Sequence, residues 1–527
     1  MKRFSAILIA LLLVVACAPR VSAPPSDLRA LHLAYAVTEQ GPVAGVADGG
    51  ISIFRGVPYA RPPVGALRFA PPQEPEPRDY LLPAVAFGPA PPQGFDKFES
   101  ASMYSQSEDC LTLNVWTPGI DGKRRPVLFY IYGGGFIEGG TSNALYDGAA
   151  FARRGGIVFV SANYRLGANG FLYLDEQGEE FKGSGNLGLL DQVAALKWVR
   201  ANIERFGGDP SNVTIMGQSA GSVSVTTLLS MPAAKGLFQK AIAQSGAPTI
   251  SRTRQEAARG TKRFMEIAGV RDAAGLRKLT TAQVVKAQLR LLREGGLDAA
   301  RLFSPVVDGV VLPEEPLAAI EKGSAAGVTL LHGTNKDEFR LWFHFSQLLR
   351  FVPPKVLLDR APGFAAKLAP YRDRIIAHYR KAYPKDRNGD TSMRMATDLV
   401  FWVPHLRLAA AQAGHAKTWM YQFNWPSPVS GGIYGADHGL ELAFVFRNLR
   451  LPGAEDSLGK NPPEKLADAM NDAWTAFART GDPGIPGLPQ WPAYDMEKRA
   501  TMFFDEACTL EFDPRREDRE LYRDIRY

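Results

Sequence analysis

Ser219 stands between two glycines in Gly217-Gln218-Ser219-Ala220-Gly221. A serine hydroxyl is a weak nucleophile until a neighbouring base takes its proton, and it must stand clear of other side chains to reach a substrate. The apolar run Val213 to Met216 precedes this serine and a helical stretch, Ala220 to Leu229, follows it. A strand, a tight turn and a helix together raise a nucleophile above the edge of a sheet, and glycines let such a turn close. The same position also suits a serine that merely caps a helix. A second glycine-rich stretch, Tyr132-Gly133-Gly134-Gly135-Phe136, follows another strand-like run. Its backbone N–H groups are unshielded and could meet a developing oxyanion, although a plain glycine-rich turn has the same composition.

A serine nucleophile on this architecture calls for an acid and then a histidine further along the chain. Six histidines follow Ser219. His332 lies inside a predicted strand and reads as core. His344 and His378 fall in helical or inserted segments and read as surface. His405 and His415 lie in an Ala/Leu-rich helical stretch, as packing or surface residues. His438 sits in Gly435-Ala436-Asp437-His438-Gly439, a small-residue loop past the predicted strand Thr418 to Phe423, which is where a catalytic histidine belongs. Asp337 and Glu338 lie just past the strand ending at His332; either could be the acid, and either could instead form a structural ion pair.

The elements that would position these groups alternate in strand and helix periods, which predicts an α/β fold with a mostly parallel sheet. Strands are expected at Val127 to Tyr132, Ile157 to Ser161, Val213 to Gly217, Ala241 to Gln244, Val328 to His332 and Thr418 to Phe423. Between the second and third, Leu190, Val193, Ala194, Leu196, Val199 and Ile203 recur at helical spacing, predicting a helix over Asn186 to Arg205 stopped by Gly207-Gly208-Asp209-Pro210. Ser251 to Leu302 and Pro354 to Tyr383 read as helical cap insertions between sheet strands.

At this point the chain resembles the type-B carboxylesterases, the family of cholinesterases and bacterial para-nitrobenzyl esterases. Phe54-Arg55-Gly56-Val57-Pro58-Tyr59-Ala60 matches the first signature, and Ser107-Glu108-Asp109-Cys110-Leu111 through Asn114-Val115 the second. Asn163-Tyr164-Arg165-Leu166-Gly167 and Asn186-Leu187-Gly188-Leu189-Leu190-Asp191-Gln192 match two more. The likeness runs from about Val37 to the last predicted strand near Phe504. It implies an α/β-hydrolase fold with nucleophile Ser219, acid Glu338 (in Lys336-Asp337-Glu338) and base His438. It also implies oxyanion donors at the N–H groups of Gly134, Gly135 and Ala220, and hydrolysis of carboxylic esters through an acyl-enzyme, with no cofactor or metal. Three departures stand out. Gln218 replaces the family's usual Glu before the serine. The usual partner of Cys110 is missing from Phe87-Gly88-Pro89-Ala90-Pro91. The segment Phe95 to Ser107 has no Trp where cholinesterases bind choline; it offers Phe95, Phe98 and Tyr104. Neutral small or aryl esters are therefore the expected substrates. A lipase acting on long-chain esters, or an inactive cholinesterase-like binding protein, is the alternative.

The 527 residues are 46% hydrophobic and 22% charged with three cysteines, which excludes a disordered chain, a collagen and a disulfide scaffold. The net charge is +7 without a block of five like charges, so nothing points to a nucleic-acid partner. The clusters Arg372 to Arg374 and Arg515 to Arg519 read as solvated basic surface. Lys2 and Arg3 followed by the apolar run Phe4 to Ala16 read as a signal peptide, too short to span a bilayer comfortably. Leu13-Val14-Val15-Ala16-Cys17 resembles a bacterial lipobox, which makes Cys17 a lipidation site; cleavage after Val21-Ser22-Ala23 is the rival, with Pro24 against it. The expected organisation is a signal peptide at 1–16, a lipidated Cys with a flexible tether at 17–27, and one α/β-hydrolase domain at 28–527. The expected location is the cell envelope, membrane-anchored through that lipid at the outer membrane, as resemblance to bacterial lipoproteins implies when the residue after the Cys, here Ala18, is not Asp, or otherwise periplasmic or secreted. Cys110 and Cys508 could pair or remain free thiols.

Overall fold

A computed structural model describes residues 32–94, 105–295, 301–344, 347–360 and 365–525. Thirteen strands form one sheet. In chain order they are β1 (Leu33–Thr38), β2 (Gly41–Asp48), β3 (Ile51–Pro58), β4 (Leu82–Pro83), β5 (Thr112–Thr117), β6 (Arg125–Ile131), β7 (Val158–Ala162), β8 (Gly208–Gln218) and β9 (Lys240–Gln244). After a separate two-stranded pair, β10 (Arg252–Thr253) with β11 (Val306–Val307), come β12 (Thr329–Asn335), β13 (Thr418–Phe423), β14 (Ala500–Phe504) and β15 (Thr509–Phe512). Across the sheet the order is β1-β2-β3-β5-β7-β6-β8-β9-β12-β13-β14-β15, with β4 beside β2. The seven strands from β7 to β14 are parallel, and both flanks are antiparallel except for the short β4, which runs parallel to β2. The chain belongs to the α/β-hydrolase fold, its mostly parallel sheet flanked by helices.

The central strands are buried on both faces, which is why they read as continuous apolar runs. All six predicted strands are present within a few residues, and β13 matches its predicted bounds. The predicted helix appears as Leu187–Asn202 followed by one tighter turn, Ile203–Phe206, and Gly207 closes it at φ 75. Gly208 and Pro210 then already belong to β8. The antiparallel strands β1 to β3 were not expected. β1 alternates exposed and buried residues over only six positions, a pattern too short to separate from loop.

The insertions also take shape as expected. Between β9 and β12 lie helices Arg254–Ala268, Ala273–Lys278 and Thr281–Gly295, the first opened by a capping box of Thr253 and Glu256. The Gln288 side chain fastens the last of them to the body by accepting from the Ala168 N–H at 2.9 Å. Between β12 and β13 lie Pro354–Asp359, Ala365–Leu368 and Arg372–Ala382.

Two expectations need correction. Arg515 is not solvated surface: its guanidinium bonds Asp398 and Asp518 at 2.8 Å and lies 4.2 Å over the Trp402 ring. His378 is not free surface either, since its Nε2 meets Asp518 at 2.7 Å. Cys110 and Cys508 are both free thiols. Cys17 and the segment 95–104 lie outside the described residues.

Candidate active site

Ser219 follows directly on β8, at φ 58 and ψ −126, a conformation that residues with a side chain rarely adopt. Neighbouring elements hold it there. Its N–H donates to Gln244 O at 2.9 Å on β9, and its carbonyl accepts from Val223 N at 2.9 Å in the helix Ala220–Leu228. That helix packs so tightly that a Cβ on Gly217 would stand 2.2 Å from Gly221 O, and one on Gly221 would stand 2.0 Å from Ile131 O. Glycine on both sides of the serine is therefore a packing requirement. The hydroxyl of Ser219 caps nothing, which disposes of the helix-cap alternative, and the residue is half-buried.

The glycine loop leans directly on this serine: a Cβ on Gly133 would stand 2.8 Å from Ser219 Cβ. Gly134 and Gly135 take φ 115 and φ 61, turning their amides out of the ladder continued from β6. Among the described residues, the N–H groups of Gly134, Gly135 and Ala220 donate to no backbone or side-chain acceptor. Ala220 is buried, Gly134 half-buried and Gly135 exposed, so these uncommitted donors lie open at the glycine loop and the serine turn, where an anion could accept from them.

The loop after β13 brings His438 beside Gln218, the residue before the serine, with Nε2 of the ring 3.3 Å from the Gln218 amide nitrogen. Its Nδ1 lies 2.6 Å from Glu338 Oε2, with both side chains buried. Glu338 begins three residues past β12, and its Oε1 accepts from Asn335 N at 2.8 Å. Asp337, the other candidate acid, does something different. Its N–H donates to Ala436 O at 2.9 Å, its Oδ2 accepts from Ala436 N at 3.1 Å, and it pairs with Arg340 at 3.3 Å. It pins the histidine loop to the strand end, while Glu338 faces the ring.

Burial by itself would lower the pKa of His438, but the charge and hydrogen bond of Glu338 more than offset it, so the imidazole titrates above its ordinary value. Glu441 adds to this. It is wholly buried in the helix Glu441–Val445; its Oε2 accepts from Asn335 Nδ2 at 2.7 Å and its Oε1 from Gln244 Nε2 at 3.2 Å. Asn335 Nδ2 also donates to Asp437 O at 2.6 Å, and Trp474 Nε1 donates to Gln244 Oε1 at 3.0 Å. Burial, and then repulsion from Glu338, push Glu441 up to about 7, with the Asn335 hydrogen bond pulling the other way. Glu441, Asn335, Gln244 and Trp474 form a polar floor that the sequence did not signal.

Aromatic rings wall the histidine. Phe401 lies 4.9 Å and Trp342 6.1 Å from its ring, and Phe339 stacks on Trp342 at 4.4 Å. His332 and His405 make a different contact. They stack in the core with Nδ1 atoms 3.0 Å apart, and His405 Nε2 accepts from Gly246 N at 3.1 Å. Burial keeps both neutral, with His332 down to about 3. His415 is exposed.

Residues 34–521 match the model of the carboxylesterase family. The chain is 40% identical over 493 residues to the para-nitrobenzyl esterase of Bacillus subtilis, covering 92% of this chain and 97% of that protein. It is 33% identical over 507 residues to the phenmedipham hydrolase of Pseudarthrobacter oxydans, covering 93% and 98%. The crystal structure of the Geobacillus stearothermophilus carboxylesterase EST55 at pH 6.2 superposes with a TM-score of 0.84 at 40% identity, covering 93% of this chain and all of that one.

Proposed function

The chain belongs to the carboxylesterase family and is a carboxylic ester hydrolase, and from that premise we propose that Ser219, His438 and Glu338 carry the reaction. The observation that supports this reading most is the strained Ser219 backbone, with an uncommitted hydroxyl beside three uncommitted N–H groups. His438 Nε2 takes the Ser219 proton as the oxygen attacks the ester carbonyl. Glu338 holds the ring with hydrogen on Nδ1 and stabilises the imidazolium that forms. The N–H groups of Gly134, Gly135 and Ala220 receive the charge that develops on the carbonyl oxygen. His438 returns its proton to the departing alcohol, and water then repeats the sequence on the acyl-enzyme. An aryl phosphonate applied as a suicide ester should label Ser219 at one equivalent, read by peptide mass; label elsewhere, or none, overturns the assignment.

The substrates proposed are neutral small or aryl esters. The aromatic wall of Phe401 and Trp342 and the uncharged Gln218 support this choice. Faster turnover of emulsified long-chain triglyceride than of a soluble short ester would select the lipase reading instead.

Anchoring at the outer membrane through lipidated Cys17, after removal of residues 1–16, is part of the same proposal and rests on the sequence of that segment. The tether 17–27 would then join the anchor to the hydrolase domain at 28–527. No helix among the described residues is long and apolar enough to cross a membrane. Absence of labelled fatty acid from the wild-type protein, with or without a Cys17→Ala control, would remove this part.

A further inference from the structure

Gln218 does more than fill the place of a carboxylate. Its Nε2 stands 3.3 Å from His438 Nε2, the ring nitrogen that must accept the serine proton. The amide is buried and wedged between two loops. A Cβ on Gly133 of the glycine loop would stand 3.0 Å from its Oε1, and a Cβ on Gly439 of the histidine loop 3.5 Å from its Nε2.

The protons at this contact follow from the partners. Glu338 as a carboxylate can only accept, so Nδ1 of His438 carries the hydrogen. In the neutral ring Nε2 is then a bare lone pair. The amide nitrogen of Gln218 can only donate, so the contact is a hydrogen bond to the neutral base. Against the imidazolium, whose Nε2 also carries hydrogen, the same contact sets two donors face to face. The acidic groups acting on the ring push the opposite way when ionised: Glu338 from the end of β12, Glu441 from the helix Glu441–Val445, and Asp437 from the ring's own loop each favour the charged form.

We propose that Gln218 is a positioning residue. Its amide holds Nε2 of the resting His438 as an unprotonated acceptor until the Ser219 hydroxyl takes that lone pair. The base thereby stays competent at a more acidic pH than its three carboxylate neighbours alone would permit. This rests on His438 being the base, and the position makes its own demand: a carboxylate at 218 would reverse the effect, and an apolar side chain would remove it.

The test is kcat/KM against pH with p-nitrophenyl acetate, a neutral ester, for wild type, Gln218→Glu and Gln218→Met. The acid limb should move up by about one unit or more in Gln218→Glu, where a negative group meets the ring. It should move up by roughly half a unit in Gln218→Met, where one hydrogen bond to the neutral form is lost. A residue that only packs would lower the plateau and leave the limb in place. Gln218→Glu is isosteric and carries the test if Gln218→Met does not fold. Coincident acid limbs in wild type and Gln218→Glu overturn the proposal. A wild-type profile with no acid limb, or a His438→Ala variant that keeps full activity, would instead remove the base itself, and with it this inference.

Discussion

The Glu338 carboxylate meets the His438 imidazole at 2.6 Å with 0% and 2% of the two side chains exposed. A carboxylate so far from water is weakly screened from the imidazolium that forms in the reaction, and removing one member leaves the other without its partner in a low-dielectric site. The pair is therefore bound to matter for orientation as much as for charge.

Ser219→Ala and His438→Ala should each lower kcat by about 10³-fold or more while the fold survives, and the double variant should be no worse than either single one. Glu338→Gln should also lose most of the rate, because the amide can present a donor to Nδ1 and so favour the wrong tautomer. Activity of Ser219→Ala within about tenfold of wild type defeats the assignment. Because Glu338 raises the pKa of His438, wild-type kcat/KM should fall on the acid side through a midpoint above ~6.5, the ordinary histidine value. Undiminished activity at about pH 4 would exclude a histidine base.

Glu441 should make stability depend on pH. In the unfolded chain it ionises near the ordinary value of 4.5, whereas in the fold it holds its proton to about 7. Between those values the folded state binds more protons, so this group's contribution to stability falls as pH rises through the window, and the loss is complete above it. Glu441→Gln keeps an acceptor for only one of the two amide donors, Asn335 Nδ2 and Gln244 Nε2, a cost that does not vary with pH, and it has no proton to lose. The unfolding midpoint of the variant should gain on wild type as pH rises from 5 to 7.5. A constant difference across that range would show that Glu441 stays ionised throughout.

Choline esters should have no advantage. A quaternary ammonium gains roughly 0.5–2 kcal/mol from an aromatic face, and Trp342 and Phe401 do offer faces near His438. Position 218, however, supplies an amide where a carboxylate would add attraction. The measurement compares butyrylcholine with its uncharged isostere, in which carbon replaces the ammonium nitrogen. Equal or higher kcat/KM for the neutral ester is expected; a preference above about tenfold for the cation, worth ~1.4 kcal/mol, would mean that the aromatic wall acts as a cation cage by itself.

What the sequence made legible was local. The flanking glycines of Ser219, the glycine run before Phe136 and the small-residue loop around His438 each announce a backbone demand within five residues. The choice of Glu338 over Asp337 came from resemblance, since both are acids at one strand end and spacing cannot say which carboxylate turns inward. Glu441, Asn335, Gln244 and Trp474 were not legible at all. The hydrogen bonds that join them to one another span 106 to 230 residues of chain, so no periodicity records them. His405 was read as packing or surface; its burial, and its hydrogen bond to Gly246 N across 159 residues, depend on a contact with the turn after β9 that no local pattern encodes. Arg515 misled for the same reason, because a run of arginines looks solvated until Asp398 and Asp518 are brought to it.

The order of the strands also bears on how the chain acquires its activity. Ser219 follows β8, whose neighbour β9 comes soon after it in the chain, and the serine's own N–H is fixed by β9. His438 follows β13, which pairs with β12 only after the chain has closed the long excursion from Asn335 to Thr418. Closing a long loop is slow because its entropy must be lost before any contact rewards it. The turn that carries the nucleophile can therefore form while the base is still on an unpaired segment, or still on the ribosome. In a refolding experiment the helical and sheet signals should return ahead of esterase activity, and that delay would time the docking of β13.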